Sequence, residues 1–212
     1  MTETRIRNDI VTFAKSLFDR GYTAGSSGNI SVKLDDGFLV TPTNSCLGFL
    51  DAHSLSRLDC DGKYQSGDEP TKELPLHFAM YAARPTARAV VHLHSSYATL
   101  LSCLDDTDPT SALAPITPYA VMRLGPVPMV PYTRPGSDTI LPYIQAAAVD
   151  HPAVLLGNHG PVVSADSLEK AVFASEELEE TAKLLVLAGE RRLRLLGQTD
   201  IDDLNTTFRL RD

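Results

Sequence analysis

Ala89-Val90-Val91-His92-Leu93-His94-Ser95-Ser96 runs three apolar residues straight into a histidine pair. The stretch from Ala89 to Leu93 reads as a buried strand, in which residues two apart project to the same side, so the imidazoles of His92 and His94 share one face. Such a pair is metal-ligand geometry, although a buried histidine can also be a hydrogen-bonded core residue. His159, within Leu155-Leu156-Gly157-Asn158-His159-Gly160, is a third candidate. Three neutral imidazoles with one further ligand hold a zinc-like divalent ion while leaving it open to substrate, and manganese or cobalt fit the same donors.

The chain of 212 residues is 43% hydrophobic, enough for a substantial core, and reads as one domain over residues 1–212. No run approaches the roughly 18 uninterrupted apolar residues of a membrane helix, and the N-terminus lacks a signal peptide's apolar core. Cys46, Cys60 and Cys103 are odd in number and widely spaced, which suggests neither a disulfide framework nor a cysteine metal site. A cytoplasmic protein without a membrane partner is expected. The formal charge of −8 argues against a nucleic-acid surface, which needs a basic stripe, so an anionic substrate must meet locally placed cations.

Ile6, Ile10, Phe13, Leu17 and Phe18 recur at helical spacing among charged residues and mark an amphipathic opening helix that Gly21 ends. Gly25-Ser26-Ser27-Gly28-Asn29 then feeds a strand over residues 30–34, a turn at Asp35-Asp36-Gly37 and a second strand over 38–41. Thr41-Pro42-Thr43-Asn44-Ser45 is another small-residue loop, and either loop could cradle an anion. A helix is expected from Glu73 to about Ala83, with Pro75 in its first turn and Arg84-Pro85 closing it. Further strands are expected at 127–132 and 153–156, with a helix over 138–149 between them. Asp166, three residues before Glu169, reads as the cap of a long amphipathic helix carried by Leu168, Val172, Leu178, Ala182 and Leu185 to Gly189. Interleaved strands and helices together with a hairpin predict an α/β chain of the α+β type, a mostly antiparallel central sheet flanked by helices in three layers.

Taken together, Gly28-Asn29-Ile30-Ser31, Thr41-Pro42-Thr43, Glu73, Val90-Val91-His92-Leu93-His94, Asn158-His159-Gly160 and the helix over 168–182 resemble the class II aldolase/adducin family. Its zinc-dependent members act on sugar phosphates. Ser45-Cys46-Leu47-Gly48-Phe49-Leu50, Gly67-Asp68-Glu69-Pro70-Thr71-Lys72-Glu73, Thr117-Pro118-Tyr119 and the run over 176–183 are most similar to its 3-oxo-tetronate 4-phosphate decarboxylase branch. The resemblance implies that His92, His94 and His159 bind zinc, and that Glu73 is the acid/base residue and a further ligand when substrate is absent. His77, one turn on, is a candidate to orient Glu73 or a packed helix residue. The resemblance also implies phosphate binding by Ser26, Gly28, Asn29, Thr43 and Asn44, with Thr71 and Lys72 standing where the aldolases carry two serines. A lysine there suits a substrate bearing a carboxylate as well as a phosphate.

Tyr119 occupies the place of a catalytic tyrosine of the family, whereas the tail over 199–212, polar and acidic with a basic ending, lacks the tyrosine that the aldolases lend to a neighbouring subunit. The implied reaction is decarboxylation of a 3-oxo-tetronate 4-phosphate to dihydroxyacetone phosphate through a zinc-stabilised enediolate, in a homotetramer. The alternatives are a class II sugar-phosphate aldolase or ribulose-phosphate 4-epimerase, since the same metal cradle serves either cleavage, and a metal-free adducin-like binding domain.

Overall fold

The computed structural model describes residues 2–208. The opening helix α1 (Glu3–Asp19) is capped by Thr2 and closes at Arg20, just ahead of Gly21. Strands β1 (Asn29–Lys33) and β2 (Phe38–Val40) form the expected hairpin, paired Ser31 to Val40 through Lys33 to Phe38. Two short strands, β3 (Ser56–Leu58) and β4 (Tyr64–Ser66), extend that edge. Helix α2 (Leu74–Ala83) starts after Glu73, its N-cap residue, with Pro75 in the first turn. Next come β5 (Ala89–His92), α3 (Ser96–Cys103), α4 (Pro118–Arg123) and β6 (Met129–Val130). The chain continues through α5 (Leu141–Ala148), β7 (Ala153–Leu156), β8 (Gly160–Ala165), α6 (Leu168–Ala188) and α7 (Gln198–Phe208).

All eight strands join one sheet, ordered β4-β3-β2-β1-β5-β8-β7-β6, and only the β6–β7 pair is parallel. Helices cover both faces. On one side α2 and α5 pack Leu76, Met80 and Ile144 onto Phe38, Val40, Val90, Val154 and Val162. On the other, α1 and α6 bring Ile10, Leu17 and Val172 to Ile30, Val32, Leu39, Ala89 and Val91. A third cluster, Ala98, Leu124, Leu155, Val163, Leu178 and Ala182, continues that layer beneath α3. Cover on both faces explains why β7 and the first three residues of β5 are apolar although antiparallel strands usually alternate.

Several boundaries differ from the sequence pattern. Asp166 does not cap α6. Ser167 does, its hydroxyl accepting from the Lys170 amide, while Asp166 pairs with the Lys170 ammonium at 2.7 Å. The strand expected over 127–132 shrinks to Met129–Val130, because Pro128 and Pro131 flank it and supply no amide hydrogen to a ladder. The helix expected over 138–149 begins as a tight turn at Asp138–Ile140 and becomes α-helical at Leu141. The tail expected to be polar folds as α7 up to Phe208, and its basic ending lies outside the described residues.

Candidate metal centre

β5 ends on His92, which is fully buried, and the chain turns out of the sheet before His94. The turn between β7 and β8 carries His159, and Glu73 stands at the mouth of α2. These elements bring one ligand atom from each of Glu73, His92, His94 and His159 within 4.8 Å of one another. The Nε2 atoms of His92 and His94 are 3.0 Å apart, those of His94 and His159 3.0 Å, and those of His92 and His159 3.3 Å. Glu73 straddles the group, with Oε1 3.4 Å from His159 Nε2 and Oε2 3.5 Å from His92 Nε2.

His92 donates its Nδ1–H to the Pro161 carbonyl at 2.9 Å, which leaves its Nε2 as a lone pair facing the other rings. Burial, reinforced by repulsion from His159 and His94, holds His92 well below the ordinary histidine pKa. Burial lowers His94 and His159 as well, against the opposing pull of Glu73. Three imidazoles whose Nε2 atoms converge on one point, with a carboxylate beside them, form a donor set suited to a cation. A tetrahedral ion bonded to imidazoles at about 2.0–2.1 Å sets its ligand nitrogens roughly 3.3 Å apart, close to the spacing here. The donor set fits a divalent ion.

Two glycines permit this crowding. Gly160, at φ +147°, lies so close to β5 that a Cβ would sit 2.4 Å from the Leu93 carbonyl. Gly28, at φ +80°, presses from the other side, where a Cβ would meet the His92 carbonyl at 3.0 Å. Helix α3 ties the cluster together at both ends. At its C-terminal end the Ser102 carbonyl and hydroxyl accept from the Asn158 and His159 amides at 2.9 and 3.2 Å. At its N-terminal end the buried Glu179 carboxylate of α6 accepts from the amides of Tyr97 and Ala98, both at 2.9 Å, satisfying donors that no residue of α3 itself caps.

The expected anion loops lie side by side. The Ile30 amide donates to Thr41 Oγ1 at 3.0 Å, the Thr71 amide to the Thr41 carbonyl at 3.3 Å, and the Thr43 amide to the Glu69 carbonyl at 2.8 Å. Ser26, Asn44 and Lys72 are exposed there, and Asn44 adopts the left-handed backbone, φ 56°. Thr71 is buried, its hydroxyl oxygen accepting from the Glu73 amide at 3.2 Å. Asn29 commits its side chain to protein. Its Nδ2 donates to Glu73 Oε2 at 2.8 Å, and its Oδ1 accepts from His77 Nε2. His77 is fully buried, and burial pushes its pKa down to about 3. Tyr119 is 58% exposed on α4, and among the described residues no hydrogen bond links it to the cluster.

Sequence reasoning missed the segment over 133–137 and one residue of α6. Thr133, Arg134 and Ser137 line the same cleft as Glu73 and His159, and Gly136 packs against the Lys72 carbonyl. Arg134 thus brings a cation to the cleft, Lys72 is exposed next to Glu73 in sequence, and neither has an ion-pair partner among the described residues. Arg134-Pro135-Gly136 falls between the strand expected over 127–132 and the helix expected from 138. The residue of α6 is Glu179, one of four acidic residues over 176–180.

A His/Glu cluster with metal-ligand geometry lies at the end of a two-sided, mostly antiparallel sheet. The Class II Aldolase and Adducin N-terminal domain matches residues 8–186, and the chain belongs to that family. It is 48% identical over 205 residues to the 3-oxo-tetronate 4-phosphate decarboxylase of Escherichia coli strain K12, covering 96% of this chain and 97% of that one. The L-fuculose phosphate aldolase of Methanococcus vannielii is 36% identical over 83% of this chain and 93% of its own. Among solved structures, YgbL of Klebsiella pneumoniae superposes with a TM-score of 0.93 at 48% identity, over 96% of this chain and 99% of that one.

Proposed function

We propose that this chain decarboxylates a 3-oxo-tetronate 4-phosphate to dihydroxyacetone phosphate and carbon dioxide. The observation that carries the reading is the convergence of Glu73, His92, His94 and His159 within 4.8 Å, on a chain 48% identical to decarboxylases of that name. His92, His94 and His159 would hold one divalent ion, for which zinc best suits three imidazoles. When bound, such an ion supplies Lewis-acid polarisation of the substrate's ketone.

In the substrate the carboxylate stands β to the ketone, so the electrons of the breaking carbon–carbon bond pass to the ketone oxygen and the carbon left behind takes up a proton. Glu73, held by Asn29 and the Thr71 hydroxyl, is positioned to take the proton of the adjacent hydroxyl. Lys72 and Arg134 supply the positive charge that carboxylate and phosphate require on a chain of net −8. The small-residue loops with Ser26, Gly28, Thr43 and Asn44 offer short side chains and backbone to the phosphate. Tyr119, exposed on α4, suits a proton donor presented to a neighbouring subunit, in line with a homotetramer built as one domain per chain. Cys46, Cys60 and Cys103 are free, as a reducing cytoplasm would keep them.

Purified protein incubated with a 3-oxo-tetronate 4-phosphate should release carbon dioxide and dihydroxyacetone phosphate in equal amounts. Cleavage of fuculose phosphate without decarboxylation would move the chain to the aldolase reading.

A further inference from the structure

Behind Glu73 runs a buried line of hydrogen bonds that the acid/base reading of Glu73 does not by itself require. Asn29 Nδ2 reaches Glu73, Asn29 Oδ1 meets His77 Nε2, His77 Nδ1 lies 2.7 Å from Ser31 Oγ, and Ser31 Oγ lies 2.9 Å from the Tyr81 hydroxyl. His77 and Tyr81 are one turn apart on α2 and so share a face. Ser31 projects from β1 on the side opposite Ile30 and Val32, toward that helix. Asn29, Ser31, His77 and Tyr81 are all at least nine-tenths buried, so water cannot replace a missing partner.

Only one set of proton positions satisfies every member of the line. A carboxylate accepts and cannot donate, so Asn29 must turn its NH₂ to Glu73 and its carbonyl inward. That carbonyl needs a donor, so His77 must carry its proton on Nε2. His77 Nδ1 then accepts from the Ser31 hydroxyl, whose oxygen is left to accept from Tyr81. With Asn29 flipped, its carbonyl oxygen would face the carboxylate at hydrogen-bond distance, two acceptors in contact.

We infer that His77 is a positioning residue: as the Nε2–H tautomer, backed by Ser31 and Tyr81, it locks the Asn29 amide and so fixes the Glu73 carboxylate beside the three imidazoles. The inference rests on the assignment of Glu73 to the reaction. His77 itself touches neither substrate nor metal. Outer-shell partners of this kind are worth about 10- to 100-fold in metal affinity or activity.

The tests use the full chain. In metal-free protein labelled with ¹⁵N-histidine, the His77 ring should give the Nε2–H pattern, and an Nδ1–H pattern would overturn the inference without any activity being measured. His77→Leu, which removes the donor, should lower kcat per bound metal about 10- to 100-fold while leaving KM nearly unchanged. His77→Gln, whose side-chain NH₂ can stand where Nε2–H stood, should recover most of that loss. If Leu and Gln prove equally damaging, or Leu is harmless, His77 only fills space and the inference fails. Should His77→Leu not fold, the tautomer and the Gln variant still decide. Should the wild type not decarboxylate at all, the functional reading falls, while the ring spectrum continues to judge the hydrogen-bond line.

Discussion

Glu73 stands between two duties, since one carboxylate oxygen faces His159 and the other faces His92 and the Asn29 amide. Its replacement should therefore separate them. Glu73→Gln keeps the three imidazoles, so elemental analysis should find metal retained while turnover falls on the order of 10²-fold or more, the scale of a general acid/base group. His94→Ala should instead lose the metal. Turnover unchanged in Glu73→Gln would remove Glu73 from the chemistry. Lys72 and Arg134 invite a different measurement. Lys72→Ser and Arg134→Ala should each raise KM by about 10-fold or more with metal content constant, because a charge-assisted contact is worth about 1.5–3 kcal/mol. Wild-type KM in both variants would place the anion elsewhere. The ligands were readable because histidine two residues from histidine on a strand, and histidine before glycine in a turn, are uncommon patterns with a chemical meaning. Arg134 was not, because nothing local distinguishes a cationic turn that folds over a site from one that faces solvent. His77 was only half readable: its place on α2 follows from the prolines that bound the helix, but Asn29 and Ser31 lie more than forty residues away and only the packing of α2 against β1 brings them near.

Elements with a local signal were legible, namely α1 and α6 by their period, the β1–β2 hairpin by its turn, α2 by its flanking prolines, and β5 and β7 by their apolar runs. Those whose signal is contextual were not. β4 is exposed at all three positions and has no apolar side to betray it. β8 contains Gly160 and Pro161, which in sequence argue against a central strand, yet it lies between β5 and β7. Pro161 is tolerated because its carbonyl is what the sheet uses there, accepting from the Leu93 amide at 3.2 Å and from the His92 ring. The beginning of β8 yields a sharp test of close packing. Gly160→Ala would drive a methyl group into the Leu93 carbonyl, so it should cost roughly 1–3 kcal/mol of stability and weaken metal binding as the His92–His94 segment is displaced. Gly189→Ala is the control. Gly189 also has positive φ, +56°, but nothing lies within 4 Å of its Cβ position, so only a backbone penalty of roughly 1–3 kcal/mol should appear, with metal affinity intact. Calorimetry together with metal titration reads both. Equal metal affinity in the two variants would show that β8 does not shape the centre.

At the scale of the whole molecule, the buried histidines make stability depend on acidity. His77, His92, His94 and His159 all have folded-state pKa values below the ordinary 6.5, so the unfolded chain binds protons that the folded chain refuses. Their contribution is complete above about pH 6.5 and declines as the pH falls toward the depressed values, about 3 for His77. Urea midpoints of the metal-free protein should accordingly drop between pH 7.5 and pH 5, and a flat profile would contradict the burial assigned to these rings. The surface carries a second expectation. Leu184 and Leu187 on α6 are 49% and 57% exposed, and Leu193 and Leu195 beyond it are 43% and 50% exposed, an apolar stretch that a subunit contact would cover. Light scattering should give a homotetramer, and an active monomer would end that expectation. Helix α3, moored to Glu179 at one end and to the His159 turn at the other, adds a kinetic consequence. Release of a bound ion requires a ligand to swing away, and Ser102, by holding the backbone amides of Asn158 and His159, steadies the turn that carries one of those ligands. Loosening the distant mooring with Glu179→Gln should therefore quicken the departure of a bound ion without changing any atom that touches it, and an unchanged release rate on chelator challenge would show that α3 does not steady the turn.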